Sequence, residues 1–248
     1  MLKFLSRTLA PEPVRVPDGR RVYAIGDVHG CASQFDRLLE LIREDEAMRP
    51  PALTQLVLLG DLIDRGPDSR AVVERAMRLA DEPGFFCLKG NHEELLLRAS
   101  EGDRQALQLF DRVGGRETML SYGVDAATYD DATLDDLAAL IRSAVPADHL
   151  AFLAEGGDHL VVGDYVFVHA GLRPGLPLAE QRDTDLRWIR DPFLNHRGRF
   201  EQFVVHGHTI VDAPDVRSNR IGIDTGAYAG GPLTAIGLEG EERWFLSA

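Results

Sequence analysis

Five short polar clusters, each placed where an apolar run ends, restrict the fold of this chain more than any other feature. The clusters are GDVHG at 26–30, GDLIDRG at 60–66, GNHE at 90–93, HAG at 169–171 and HGHT at 206–209. A short apolar run closed by turn residues is typical of a buried strand. In α/β folds the loops at the carboxyl ends of the strands carry the functional groups. The sequence therefore predicts a sheet whose first three polar loops share one edge.

Periodicity along the chain predicts how the elements are arranged. Apolar runs at 21–25, 55–59 and 85–88 read as strands, and helical spacing follows the first two. This alternation favours right-handed crossovers and a largely parallel sheet. Strand signals fade over 93–157, where helix starts appear at Thr133 and Pro146. From His159 onward the pattern is β again, starting with a hairpin that turns at Gly163-Asp164. We predict a loosely held N-terminal arm over 1–20 and one α/β domain over 21–248, with a helical insertion at 93–157.

Composition excludes several classes of protein. The 248 residues, 44% of them hydrophobic, are enough for one domain with a sizeable core. A formal net charge of −13 argues against nucleic acid or an acidic membrane surface as a partner, because both need a basic surface. Cys31 and Cys87 lie far apart with no CxxC spacing, which indicates neither a disulfide framework nor a thiolate metal site. With no apolar run long enough to span a bilayer, we expect a soluble, cytoplasmic protein.

The side chains in the clusters suggest metal chemistry. In Asp27-x-His29, alternation along an extended segment would bring a carboxylate and an imidazole to one ion. Asp61 could bridge two ions, and a neutral amide and two imidazoles would complete a second site. The six predicted metal ligands are Asp27, His29, Asp61, Asn91, His169 and His208. Two ions about 3.5 to 4 Å apart would activate a bridging water and clamp the oxygens of a phosphoryl group. The implied reaction is phosphoester hydrolysis.

The first three clusters resemble the three signatures of the PPP family of metal-dependent serine/threonine phosphatases. The similarity is strongest to the bacterial and phage branch, which includes phage lambda phosphatase. It continues through HAG at 169–171, LRWIR at 186–190, GHT at 207–209 and IDTGA at 223–227. The resemblance implies an α/β calcineurin-like metallophosphoesterase sandwich, in which two mixed β-sheets are flanked by helices and carry a helical insertion.

The resemblance also implies a role for each matching residue. Asp27, His29 and Asp61 would hold the first metal ion; Asp61, Asn91, His169 and His208 would hold the second. His92 would be the general acid that protonates the departing alkoxide, with Asp64 hydrogen-bonded to it. Arg65 and Arg190 would bind the phosphoryl oxygens. Family members usually use manganese, or iron and zinc. Lys89 stands where similar family members generally carry arginine, so it would keep the charge but lose the bidentate fork.

Several alternatives remain open at the level of sequence. Phosphoserine and phosphothreonine in proteins are the expected substrates, with a dinucleoside polyphosphate such as diadenosine tetraphosphate as the first rival. A metal-binding regulatory module without turnover is the second. His206 is either a partner of the metal ligands or an ordinary buried histidine. Glu93 and Glu94 complement the dipole of the helix they begin, and we expect the insertion to overhang the site and select substrates.

Overall fold

The structure, a computed structural model, describes residues Pro13–Ala248; residues 1–12 of the predicted arm lie outside the described range. The strands are β1 (Arg20–Ile25), β2 (Leu53–Leu58), β3 (Phe85–Cys87), β4 (His159–Val162), β5 (Tyr165–Val168), β6 (Phe203–His206), β7 (Asp215–Val216), β8 (Arg220–Gly222), β9 (Thr234–Glu239) and β10 (Glu242–Ser247). They form two five-stranded sheets, ordered β10-β9-β1-β2-β3 and β4-β5-β6-β8-β7.

Both sheets are mixed, which confirms the predicted sandwich class. In the first sheet β1, β2 and β3 are parallel, whereas β9 and β10 run antiparallel beside β1. In the second sheet β5, β6 and β8 are parallel, and the edge strands β4 and β7 are antiparallel. Parallel order therefore reaches the edge strand β3 in the first sheet and is confined to the three central strands in the second. The edge strands β4, β7 and β10 are antiparallel to their neighbours because short turns join each pair, as at Gly163-Asp164 between β4 and β5.

The helices are α1 (Ala32–Ala47), α2 (Ser69–Ala80), α3 (Asn91–Ser100), α4 (Arg104–Arg112), α5 (Gly115–Ser121), α6 (Ala126–Asp130), α7 (Leu134–Ala144), α8 (Ala147–Glu155), α9 (Asp183–Trp188) and α10 (Asp191–Leu194). Helices α3 to α8 occupy the span for which the sequence predicts a helical insertion. The two ends of this insertion meet at a parallel bridge between Leu88 and Gly157. Among the described residues no single helix could cross a membrane; α7 and α8 have the length and composition only as a pair bent by 95°.

Alternation along β1 shows how the layers are held together. Val22 and Ala24 are fully buried in the core between the two sheets, which Phe167 and Ile221 enter from the second sheet. Tyr23 on the opposite face is buried against α1 and α2. Because β1 is covered on both faces, its run from Val22 to Ile25 carries no charged side chain, as expected for a central strand. The carboxyl ends of β1 and β2 are thereby held side by side.

The part of the predicted arm that the structure describes is attached to the domain. Val16 is fully buried in the core between the sheets, and its N–H donates to Gly240 O. Asp164 accepts the Arg15 N–H and donates its own N–H to Arg15 O. Arg15 and Val16, within the predicted arm, are therefore held against the domain by one buried side chain and by three hydrogen bonds of their own backbone atoms.

Candidate active site

Non-glycine residues with a left-handed backbone conformation are concentrated in the polar clusters. Among residues 13–248, the non-glycine residues with positive φ are His29, Asp61, Asp64, Arg65 and His208, with φ between 44° and 71°. Such conformations cost free energy in residues that carry a Cβ, and they persist where function holds them. The conformation of His29 also corrects the expected extended Asp27-x-His29 segment. β1 ends at Ile25, so a tight loop, rather than strand alternation, brings His29 to the site.

A first group of possible metal ligands contains His29, Asp61 and His92, whose ligand atoms all lie within 4.8 Å of one another. His29 Nε2 lies 3.6 Å from Asp61 Oδ2. His29 Nδ1 lies 2.8 Å from Ile63 O, so it donates its proton there. This bond fixes the tautomer that leaves the Nε2 lone pair facing Asp61, the arrangement seen around histidine ligands. Burial lowers the pKa of His29 to about 3, which keeps its imidazole neutral.

A second group contains Asp61, His169 and His208, again within 4.8 Å. His169 repeats the arrangement of His29, since its Nδ1 donates to Leu59 O at 2.8 Å and its Nε2 lies 3.4 Å from Asp61 Oδ1. Asn91 Oδ1 is 3.0 Å from the same Nε2. Burial, then the neighbouring His169, lowers the pKa of His208 to about 2. The carboxylate of Asp61 is thus common to both groups, with one oxygen facing each.

Asp27 lies beside the second group through the backbone of His208. Its Oδ2 accepts the His208 N–H at 2.9 Å. Gly207 leaves room for this contact, because a Cβ at that position would lie 2.0 Å from Asp27 Oδ1. Burial raises the pKa of Asp27 well above its usual value, and the nearby Asp224 and Asp61 raise it further. A buried carboxylate among other carboxylates calls for a cation to stabilise its charge.

His92 and Asp64 form a buried pair next to the shared carboxylate. His92 Nδ1 donates to Asp64 Oδ2 at 2.7 Å, and the His92 ring lies edge-on to His29, with centroids 4.6 Å apart. Burial alone would lower the pKa of His92, but Asp61 and Asp64 raise it above the usual value. His92 Nε2 is buried and lacks a hydrogen-bond partner among the described residues. This nitrogen is available either to a metal ion or to a substrate oxygen.

The three predicted phosphate-binding residues have different surroundings. Arg65 Nη1 lies 3.1 Å from His29 Nε2, and its guanidinium stacks 4.6 Å above the ring of Tyr228. Arg190 is exposed, with Nη1 3.5 Å from Thr209 Oγ1, and its charge contributes to the low pKa of His208. The Lys89 backbone N–H donates to Gly157 O. No hydrogen bond or ion pair within residues 13–248 ties its ammonium to the site, so that assignment stays a prediction.

Glu93 has a larger role than the sequence suggested. Its carboxylate is buried and accepts three backbone N–H groups, those of Asp61, Leu62 and Gly90, each at 2.8 Å. It therefore ties the β2 loop to the start of α3. Glu93 stands three residues after Gly90, which is the spacing of a helix capping box. That spacing predicts only the hydrogen bond from the Gly90 N–H. The other two come from a loop some thirty residues earlier, which local sequence does not reveal.

His206 faces away from the site. Its ring packs edge-on against Phe193, with centroids 4.9 Å apart, on the outer side of the second sheet. His208 turns back because its own φ is 63°, so strand alternation does not continue from His206 to His208. Of the two alternatives, His206 is the ordinary buried histidine.

The donor set fits two divalent cations. Both His29 and His169 present a lone pair toward Asp61, and the buried Nε2 atoms of His92 and His208 have no hydrogen-bond partner within residues 13–248. Neutral imidazoles, carboxylates and an amide oxygen suit manganese, iron or zinc. The ligand atoms come from separate loops that meet around the carboxylate of Asp61.

Comparison with known proteins agrees with this geometry. The calcineurin-like phosphoesterase family matches residues 20–229. The symmetrical bis(5'-nucleosyl)-tetraphosphatase of Nitrosospira multiformis is 28% identical over 88% of this chain and 92% of its own. Serine/threonine-protein phosphatase 1 of Salmonella typhimurium is 28% identical over 89% and 93%. A crystal structure provisionally described as a diadenosine tetraphosphatase has a TM-score of 0.64 and 23% identity, covering 95% of this chain and 98% of that one.

The match to the family covers most of the chain and includes all five polar clusters. All five clusters lie at the site just described, around the carboxylate of Asp61. The chain therefore belongs to the calcineurin-like phosphoesterase family and is a metal-dependent phosphoester hydrolase.

Proposed function

We propose that this enzyme is a serine/threonine protein phosphatase of the bacterial and phage PPP branch, hydrolysing phosphomonoesters with two manganese ions. The observation that carries the proposal is the pairing of two ligand groups on Asp61 with the buried His92–Asp64 pair beside them. Asp27, His29 and Asp61 would hold one ion; Asp61, Asn91, His169 and His208 would hold the other. Bound there, the ions would activate a water and neutralise the phosphoryl oxygens.

The arginines would orient the phosphoryl group. Arg65 is held over Tyr228, so its planar fork is already ordered and loses little freedom on binding an anion. Arg190 lies on the exposed side near Thr209, where a substrate phosphate could displace its weak hydroxyl contact. Two guanidinium groups on one phosphoryl group would stabilise the negative charge that grows in the transition state.

The His92–Asp64 pair favours a phosphomonoester of serine or threonine as substrate. An alkoxide is a strongly basic leaving group and needs a proton as the bond breaks, whereas a nucleotide phosphate leaves as a weak base. Asp64 accepts a hydrogen bond from His92 Nδ1–H, which would stabilise the imidazolium form that protonates the leaving group through Nε2. A buried acid of this kind serves an alkoxide better than it serves a phosphate.

Hydrolysis of dinucleoside polyphosphates is the second candidate, because several relatives carry that name. Besides the Nitrosospira protein, the asymmetrical PrpE tetraphosphatase of Anoxybacillus flavithermus is 25% identical over 86% of this chain and 88% of its own. A regulatory module without turnover is set aside, since the chain belongs to a family of phosphoesterases and its sequence lacks neither a predicted metal ligand nor the predicted acid.

A comparison of two substrates tests whether the enzyme is a protein phosphatase or a dinucleoside polyphosphate hydrolase. Purified protein with manganese would be given equal concentrations of a phosphoseryl peptide and diadenosine tetraphosphate, with phosphate and nucleotide release measured separately. We expect kcat/KM to be higher for the peptide. A strong preference for the dinucleotide would overturn the assignment in favour of the second candidate.

The variant His92→Asn tests whether His92 is the general acid. We expect kcat for the phosphoseryl peptide to fall by about 10²-fold or more, the usual contribution of a general acid. The loss should be much smaller with p-nitrophenyl phosphate, whose phenolate leaves without a proton. Manganese content measured on the same samples should stay at the wild-type level, and a variant that loses metal would show that His92 is a ligand instead.

A further inference from the structure

Thr118, on the helical insertion, reaches into the acid pair. This residue of α5 is fully buried, and its hydroxyl donates to Asp64 Oδ1 at 2.6 Å. The other carboxylate oxygen of Asp64 accepts from His92. Asp64 thus has one donor on each oxygen, one from α3 and one from α5. A hydroxyl contributed some fifty residues away in sequence completes the environment of the proposed acid.

The direction of each hydrogen bond around Thr118 follows from counting protons. The single hydroxyl proton of Thr118 goes to Asp64, so Ser69, whose Oγ lies 2.9 Å from Thr118 Oγ1, must donate to it. The Asp64 N–H in turn lies 2.8 Å from Thr118 Oγ1 and 3.0 Å from Ser69 Oγ. Thr118 therefore both donates to the carboxylate and accepts from the backbone of the same residue. This double contact fixes Asp64 at a φ of 71°.

The segment just before α5 contacts Arg65, the residue that follows Asp64. Gly114 O accepts the Arg65 N–H at 3.0 Å. A Cβ on Gly114 would lie 2.6 Å from that nitrogen, so a side chain there would push the two segments apart. Val113 O lies 3.4 Å from Arg65 Nε. The segment from Val113 to Thr118 thus contacts both residues of the strained Asp64-Arg65 pair.

We propose that Thr118 is a positioning residue for catalysis, which holds Asp64 so that His92 presents its Nε2 proton to the leaving group. The proposal rests on the proposed role of His92 as general acid. It also changes the expected role of the insertion, which the sequence suggested was an overhanging selector of substrates. The insertion supplies part of the support for the chemistry itself, since hydrogen bonds behind a reacting group fix its orientation.

Two variants of Thr118 separate positioning from packing. Thr118→Val keeps the shape of the side chain and removes the hydroxyl; Thr118→Ser keeps the hydroxyl and removes the methyl group. We expect Thr118→Val to lower kcat for a phosphoseryl peptide by about tenfold or more, in the range found when a supporting hydrogen bond is lost, with KM unchanged. Thr118→Ser should restore most of the rate. Ser121→Ala, on the same helix with its hydroxyl bonded to Thr118 O rather than to Asp64, is the matched control and should behave as wild type.

Leaving-group dependence and a double mutant make the test specific. The Thr118→Val loss should be smaller with p-nitrophenyl phosphate, and the same substitution in a His92→Asn background should cost nothing further, because residues that act as one unit are not additive. Equal losses on both substrates, additive losses in the double mutant, or a Thr118→Ser variant as slow as Thr118→Val would each overturn the proposal. Absence of peptide turnover by the wild-type protein would instead contradict the proposed function.

Discussion

The two ends of the central parallel strands differ in what they contain. At the carboxyl end the loops hold buried carboxylates and imidazoles, and the left-handed non-glycine residues of the described chain lie there. At the amino end, between α1, α2 and the starts of β2 and β3, lies a cavity of about 490 Å³ beside the exposed Leu53. That end has space, but none of the described non-glycine residues there has a positive φ. In this molecule strained backbone combined with buried charge is therefore a better guide to the candidate site than the presence of a cavity.

Replacing Asp61 is expected to have the largest effect at the carboxyl end. Asp61→Asn preserves shape and removes the charge that both ligand groups share, so kcat/KM should fall by about 10³-fold or more, the upper range for loss of one electrostatic group. Manganese content, measured by elemental analysis, should fall as well. Asp36→Asn, which alters an exposed carboxylate paired with Arg75, is the control. Wild-type metal content in Asp61→Asn would contradict the shared role.

A pair of glycine substitutions compares the two ends directly. Gly207→Ala would place a Cβ 2.0 Å from Asp27 Oδ1, and a displacement of about 1 Å at a site can cost about 10²-fold in rate. Gly84→Ala, at the amino end, has φ 87° and would place a Cβ 2.5 Å from Thr54 O. We expect Gly84→Ala to lower the melting temperature and leave kcat unchanged. Loss of activity in both variants with equal loss of stability would remove the distinction between the ends.

The dependence of metal affinity on pH should come from Asp27 rather than from the histidines. Burial lowers the pKa of His29 to about 3 and that of His208 to about 2, so both imidazoles are already neutral near pH 6. The raised pKa of Asp27 means that a cation must displace its proton. Manganese affinity should therefore weaken as pH falls below that pKa, by about tenfold per pH unit for one proton.

Isothermal titration calorimetry can measure whether a proton leaves Asp27 when manganese binds. Titrations of manganese in buffers of different ionisation enthalpy should show that Asp27→Asn releases about one proton fewer than wild type. Glu46→Gln, at the rim of the amino-end cavity, is the control and should release as many as wild type. Equal proton release by wild type and Asp27→Asn would assign the pH dependence to another group.

The sequence predicted the parts of this molecule that local patterns specify. The strands, the turn at Gly163-Asp164 and the helix start at Thr133 follow from alternation and capping, and each is present. The polar clusters follow their strands closely enough that their convergence could be expected. The metal and catalytic roles of their residues remain predictions, supported by distances around Asp61.

What the sequence could not predict depends on contacts between distant segments. Glu93 looks like a helix-cap residue, and only the folded chain brings the N–H groups of Asp61 and Leu62 to it. Thr118 has no local signal, because a threonine within a short helix is unremarkable until Asp64 is seen beside it. The direction of His206 was also unpredictable, since the turn at His208 breaks the alternation that would have placed the two rings together.

The meeting of the two ends of the insertion at Leu88 and Gly157 has a consequence for engineering. A segment that leaves and returns at neighbouring points can be exchanged for one of another length with little strain on the sheets. A transplant that begins after Glu93, and so keeps Asn91, His92 and Glu93, would still carry away the hydroxyl at position 118 and the carbonyl at position 114, and a donor lacking both would yield a folded but slow catalyst. Altering selectivity by swapping this region therefore requires grafting those two contacts along with it.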